Sequence, residues 1–143
     1  MLLFGVQQLT VISPPTTPPG PPALQRYFVC RILGLRVLGY TGDGDKASWI
    51  KTDLNLDWAF NYKTQDVNQT LNIAAPNGVD IFFDGVGGQF SATVLQHMAM
   101  FGRVIMVGNL SSYNHVQTNI TIPSFDLAIA LKELTIVGFN VYR

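Results

Sequence analysis

Two apolar runs, each ending in small residues, constrain this fold more than any other feature. They are Asn77-Gly78-Val79-Asp80-Ile81-Phe82-Phe83-Asp84-Gly85-Val86-Gly87-Gly88 and Gly102-Arg103-Val104-Ile105-Met106-Val107-Gly108-Asn109. Val79–Phe83 and Val104–Val107 have strand length and no regular polar alternation. Each strand is therefore expected to be covered on both faces, as in a parallel sheet flanked by helices. Glycines at the carboxyl end of such a strand let a ligand approach the backbone closely, and open α/β sheets bind nucleotides at that edge.

The rest of the chain alternates in the same way. A helical pattern around residues 24–33 stops at Gly34, and Leu35–Tyr40 reads as a strand with Thr41-Gly42-Asp43-Gly44 as its turn. A short helix is expected over Asp45–Asp53, a second strand over Trp58–Tyr62, and a helix capped by Thr64 that runs to Ala75 before Pro76. Phe90–Phe101 has Val94, Leu95, Met98 and Phe101 spaced for one helical face, with Gly102 as its stop. Residues 110–122 read as a loop, Asp126–Leu131 as a helical turn and Leu134–Val141 as a last strand. The fold class is thus α/β, an incomplete doubly wound (Rossmann-type) parallel sheet with flanking helices.

Six of the eight prolines fall between Pro14 and Pro22. Residues 1–22 are accordingly expected to be a proline-rich, disordered segment, and 23–143 a partial nucleotide-binding domain. With 48% hydrophobic and 13% charged residues, the chain as a whole has the composition of a globular protein. Its net charge of zero gives no electrostatic reason to bind nucleic acid or an acidic membrane. No apolar run approaches the ~20 residues that span a bilayer, so no membrane association is expected. Cys30 is the single cysteine, which excludes an internal disulfide and a cysteine-cluster metal site and suits a cytoplasmic location.

Several residues could carry chemistry. A nucleotide-binding sheet turns its first strand into a glycine-rich loop that cradles pyrophosphate at a helix start. No such run precedes the 24–33 helix. Where an NAD-preferring enzyme places an acidic residue against the ribose 2′-hydroxyl, Tyr40 and Thr41 stand, with Lys46 five residues on. A lysine there favours a 2′-phosphate, hence NADP, although Asp43 and Asp45 lie nearby. Tyr62, at a strand end, could stack on adenine or reach a phosphate. Gly85, Gly87 and Gly88 form the tightest glycine cluster, Gly108 ends the next strand, and Tyr113 lies in the following loop. His97 and His115 have no partners at metal-ligand spacing, so no metal site is expected. Ser111 and Ser112 have no nearby base, and no catalytic residue is assigned.

Several motifs occur in an order that resembles the prostaglandin reductases. They are Gly39-Tyr40-Thr41-Gly42-Asp43-Gly44-Asp45-Lys46, Ala59-Phe60-Asn61-Tyr62-Lys63-Thr64, Phe83-Asp84-Gly85-Val86-Gly87-Gly88, Phe101-Gly102-Arg103-Val104, Leu110-Ser111-Ser112-Tyr113-Asn114 and the run from Leu131 to Arg143. These enzymes, also called leukotriene B4 12-hydroxydehydrogenases or alkenal/one oxidoreductases, are zinc-free members of the medium-chain dehydrogenase/reductase superfamily. The resemblance covers about residues 29–143. It implies NADPH-dependent reduction of the carbon–carbon double bond of α,β-unsaturated ketones and aldehydes, of the 15-oxoprostaglandin 13-reductase or 2-alkenal reductase type.

The resemblance also implies cofactor contacts for Lys46, at the 2′-phosphate, and for Tyr62. It implies a nicotinamide site lined by Val107, Gly108, Asn109, Leu110, Ser111, Ser112 and Tyr113 and completed by Phe139, Asn140 and Val141. Tyr113 is implied to touch an enone or enal lipid substrate as well. Gly85 stands where the family has an asparagine that holds the cofactor. The interval between Lys46 and Tyr62 is one residue longer than usual, and the family's catalytic domain and glycine-rich loop are absent. The chain is therefore expected to be a fragment with little turnover of its own. The competing reading is an inactive remnant that pairs with a full-length relative or does nothing; the Leu134–Val141 strand is a candidate edge for such pairing, and for a homo-dimer of the intact family. A methyltransferase-like fold does not account for Lys46, Tyr62 and the Tyr113 loop together.

Overall fold

A computed structural model describes residues 8–12, 30, 32–108 and 126–139. Six strands form one sheet: β1 (Gln8–Ile12), β2 (Arg36–Thr41), β3 (Trp58–Asn61), β4 (Val79–Asp84), β5 (Met98–Met106) and β6 (Thr135–Gly138). Four helices with described bounds accompany them: α1 (Gly44–Thr52), α2 (Val67–Ala74), α3 (Gly88–Gln96) and α4 (Asp126–Lys132). All strand pairings are parallel, in the order β3-β2-β1-β4-β5-β6. That is the strand order of the dinucleotide-binding fold, whose direction of winding reverses between β1 and β4.

The centre of this sheet corrects the sequence reading. Gln8–Ile12 was expected to belong to a disordered segment spanning 1–22, but it forms β1 and pairs on both sides. Gln8 stands opposite Arg36 and Ile12 opposite Tyr40 on β2, while Leu9 to Val11 run beside Ile81 to Phe83 on β4. Leu9, Thr10, Val11 and Ile12 include three β-branched residues, which suit a strand between two others. The proline run itself, and the helix expected over 24–33 apart from Cys30, Ile32 and Leu33, lie outside the described residues.

Both faces of β2 and β4 are covered, as the lack of polar alternation in β4 required, whereas β5 buries Val104 and leaves Met106 38% exposed. On β2, Val37 joins a cluster with Ile50 of α1, Leu56 and Cys30. Leu38 and Tyr40 point the other way, into a larger cluster with Phe60, Leu71, Phe82, Phe90, Val94 and Val104. Alternate residues of one strand thus feed two cores, and α1 packs on one face while α2 and α3 pack on the other. The Tyr40 hydroxyl pairs with Thr70 Oγ1 of α2 at 2.9 Å, so the one polar group of this side chain is satisfied inside the core.

Two local expectations also change. The α2 cap is Asp66, whose carboxylate accepts from Gln69 N–H at 2.9 Å; Thr64 lies before it. The helix expected over Phe90–Phe101 ends at Gln96, and Met98–Phe101 belong to β5. Between Met98 and Arg103 the register against β4 shifts, and Phe101 takes a positive φ of 62°. This bulge accounts for the misreading, because Met98 and Phe101 mimic helical spacing while sitting on a kinked strand.

Candidate functional site

The parallel arrangement brings the carboxyl ends of all six strands to one edge. At the end of β4, Asp84 is 1% exposed and organises the glycine cluster. Its Oδ1 accepts from Val86 N–H and Gly87 N–H, each at 3.0 Å, closing a side-chain-to-backbone turn. Its backbone carbonyl accepts from Val107 N–H at 2.7 Å and Gly108 N–H at 3.2 Å. One residue therefore fixes both loops that the sequence marked out, the one after β4 and the one after β5. Gly87 (φ 72°) and Gly88 (φ 62°) then turn the chain into α3 through the left-handed region, where a side chain would be strained.

Asp84 had no role in the sequence reading. The available signal was an Asp two and three residues before Val86 and Gly87, the spacing of such a turn. Gly85, inside the turn, faces open space: a Cβ built on it meets nothing within 4 Å.

A second arrangement lies at the ends of β2 and β3. Thr41 is fully buried, and its carbonyl accepts from Tyr62 N–H at 3.0 Å, tying the residues after β3 to the turn after β2. Asp43 caps α1, accepting from Lys46 N–H at 3.0 Å. Partial burial lowers the Lys46 ammonium pKa, and the Asp43 carboxylate opposes that shift. The Tyr62 ring packs against Phe90 with 5.2 Å between centroids, and burial pushes its phenol pKa up, so the hydroxyl stays protonated at neutral pH.

Gly42 is the close-approach point of this region. A Cβ built on it would lie 2.9 Å from Lys63 Cε, 3.1 Å from the Tyr62 hydroxyl and 3.3 Å from Lys63 Nζ. The side chains of Tyr62 and Lys63 thus lie over the turn that leads to Lys46. Nothing in the spacing of Lys63 along the chain marks this proximity.

Lys46 and Tyr62 accordingly sit at the β2–β3 end of the edge, and Gly85, Val107 and Gly108 at the β4–β5 end. Phe139 follows β6, donates its N–H to the Met106 carbonyl at 2.8 Å, and is 55% exposed. Asn109, Leu110, Ser111, Ser112, Tyr113, Asn140 and Val141 lie outside the described residues, as does His115. His97 bonds Asn68 Oδ1 at 3.1 Å at the opposite end of the sheet, where β5 begins. Among the described residues no group of His, Cys, Asp or Glu is arranged to hold a metal ion. No described helix is long and apolar enough to cross a membrane.

The chain is similar to known proteins in sequence and in fold. Prostaglandin reductase 1 of Bos taurus is 39% identical over 116 residues, covering 80% of this chain and 35% of that protein. The 2-alkenal reductase (NADP(+)-dependent) of Nicotiana tabacum is 35% identical over 113 residues, covering 78% of this chain and 32% of its own. The chain spans about a third of the length of these curated relatives. The crystal structure of CurA in complex with NADPH from Vibrio vulnificus superposes with a TM-score of 0.79 at 23% identity, covering 95% of this chain and 41% of that one. That likeness concerns the fold. The zinc-binding dehydrogenase family matches residues 27–143, and the chain belongs to it.

Proposed function

We propose that this chain supplies the NADP-binding part of an oxidoreductase that reduces the carbon–carbon double bond of enones and enals, of the 15-oxoprostaglandin 13-reductase or 2-alkenal reductase type. The observation that carries this reading is the β2–β3 end, where Gly42 leaves room for Tyr62 and Lys63 beside the turn to Lys46. We assign the phosphate on the adenosine ribose to this place, because the missing side chain at position 42 lets the Tyr62 hydroxyl and the Lys63 ammonium come close to the turn. The names of the relatives support the same cofactor and substrate class.

When bound, NADPH would supply the hydride. The chain's own residues bind and orient. Lys46 and Tyr62 hold the adenosine end, and the Asp84 turn sets the backbone of Gly85, Val107 and Gly108 against the remainder of the cofactor. Asn109, Leu110, Ser111, Ser112, Tyr113, Phe139, Asn140 and Val141 complete the nicotinamide side in this reading, with Tyr113 also at the substrate. The nucleotide-binding unit, placed at 23–143 from sequence, then includes β1 as well. A cytoplasmic location and a homo-dimer through the β6 edge belong to the same proposal.

A second reading, an inactive association module, is favoured by one observation. Pro14, Pro15, Pro18, Pro19, Pro21 and Pro22 follow β1 in sequence, where this fold carries its phosphate loop, and proline has no N–H to donate. Fluorescence titration with NADPH and NADH separates the two. Saturable enhancement by NADPH that NADH does not match supports the cofactor reading. Absence of any response to either nucleotide leaves only the association module.

A further inference from the structure

We infer that Lys63 is a second cation of the 2′-phosphate pocket and sets the preference for a phosphorylated over an unphosphorylated adenosine ribose. The inference rests on the cofactor reading above and adds a specificity-determining residue to it.

Geometry is the first support. Lys63 follows β3, yet its side chain reaches over the turn after β2: its Cε and Nζ lie 2.9 and 3.3 Å from where a Gly42 Cβ would be, with the Tyr62 hydroxyl at 3.1 Å. Such separations exist only because residue 42 has no side chain. The link from Tyr62 N–H to the Thr41 carbonyl at 3.0 Å, and the acceptance of Lys63 N–H by Asn61 Oδ1 at 3.0 Å, hold the backbone beneath it. The ammonium is thus delivered from the end of β3 to the turn that leads into α1, the helix that carries Lys46.

Charge is the second support. A phosphomonoester carries close to two negative charges at neutral pH. The turn and first helical residues hold Asp43 and Asp45 together with Lys46. Two carboxylates outweigh one ammonium, and Lys46 alone leaves this rim negative before any phosphate arrives. Asp43 cannot be dispensed with locally, since its carboxylate caps α1 through Lys46 N–H. Lys63, just after β3, is the group that restores balance, and Tyr62, kept protonated by its partly buried position, adds a neutral donor beside it.

The test uses the full chain, isotope-labelled, titrated by NMR with adenosine 2′-monophosphate and adenosine 5′-monophosphate. These ligands differ only in phosphate position. The wild type is expected to prefer the 2′-phosphate, and Lys63→Ala to lower that preference about tenfold, the scale of one hydrogen bond to a charged group. Lys63→Arg is expected to retain most of it, and the thermal midpoints of both variants to equal that of the wild type. If Lys63→Ala keeps the wild-type preference while Lys46→Ala loses it, Lys63 has no such role and the cofactor reading stands. If the wild type itself shows no preference, the inference and the cofactor reading fall together.

Discussion

The two ends of the sheet are built differently. At the β2–β3 end β2 is packed on both faces: Val37 in one core and Leu38 and Tyr40 in the other are fully buried, and the loops above them are tied by Thr41, Asp43 and Tyr62. At the β5–β6 end, Ile136 is 42% exposed, Val137 52% and Phe139 55%, and α4 has no buried residue. The first region holds its groups in place through its own packing. The second presents an apolar edge strand of the kind that pairs with other chains. Under the proposed function, cofactor discrimination belongs to the well-packed end and association to the exposed one.

Core truncation should show this contrast most strongly. Phe82 is fully buried at the centre of the sheet, and Phe82→Ala is expected to cost about 3–5 kcal/mol in urea denaturation. Val137→Ala on β6 should cost below about 0.5 kcal/mol. Similar losses at both sites would erase the distinction. Next in size is Asp84→Ala, which leaves two buried N–H groups without their acceptor and should cost about 2–3 kcal/mol. Asp84→Asn keeps an acceptor oxygen and should cost less. If the alanine variant is as stable as wild type, the turn does not depend on this side chain.

Alkaline pH should produce a smaller effect on the packed end. Burial pushes the Cys30 thiol up to about 11 and the Tyr40 phenol up to about 12. Both folded values exceed the unfolded ones, so their contribution is complete below the unfolded values of 9.0 and 10.0 and is lost as pH rises through 11 and 12. A denaturation series should show stability falling from about pH 9, with Cys30→Ala delaying the onset by about one unit. A flat profile to pH 12 would contradict this. Smallest is a gain. The open space around Gly85 admits a side chain, and Gly85→Asn is expected to tighten NADP binding about fivefold through one added hydrogen bond. Weaker binding would show that the turn has no room for the donor.

Where the sequence was legible, the reason was physical. Strands β2 to β5 are short apolar runs bounded by glycine or charge, and both-face burial followed from the lack of alternation in β4, while β5 is only partly covered. β1 was hidden because Leu9–Ile12 is brief and stands beside a proline run whose signal dominates its neighbourhood. The helix drawn through Met98 and Phe101 failed because periodicity cannot see a bulge; the register shift and the positive φ of Phe101 appear only when β4 and β5 pair. Lys46 and Tyr62 could be found from their positions at strand ends, together with a family resemblance. Lys63 could not, since its relevance comes from crossing to a neighbouring strand over a glycine, and that proximity has no signature along the chain. Asp84 did have one, but the adjacent glycines drew attention away from it.

Chemical-shift mapping of the whole chain with NADP+ and with NAD+ tests the central claim most directly. The account predicts tighter binding of NADP+, with the amides that distinguish the two ligands clustered at Gly42, Asp43, Lys46, Tyr62 and Lys63, and β6 indifferent to the 2′-phosphate. Equal affinities, or differences centred on Thr135–Gly138 instead, would contradict it.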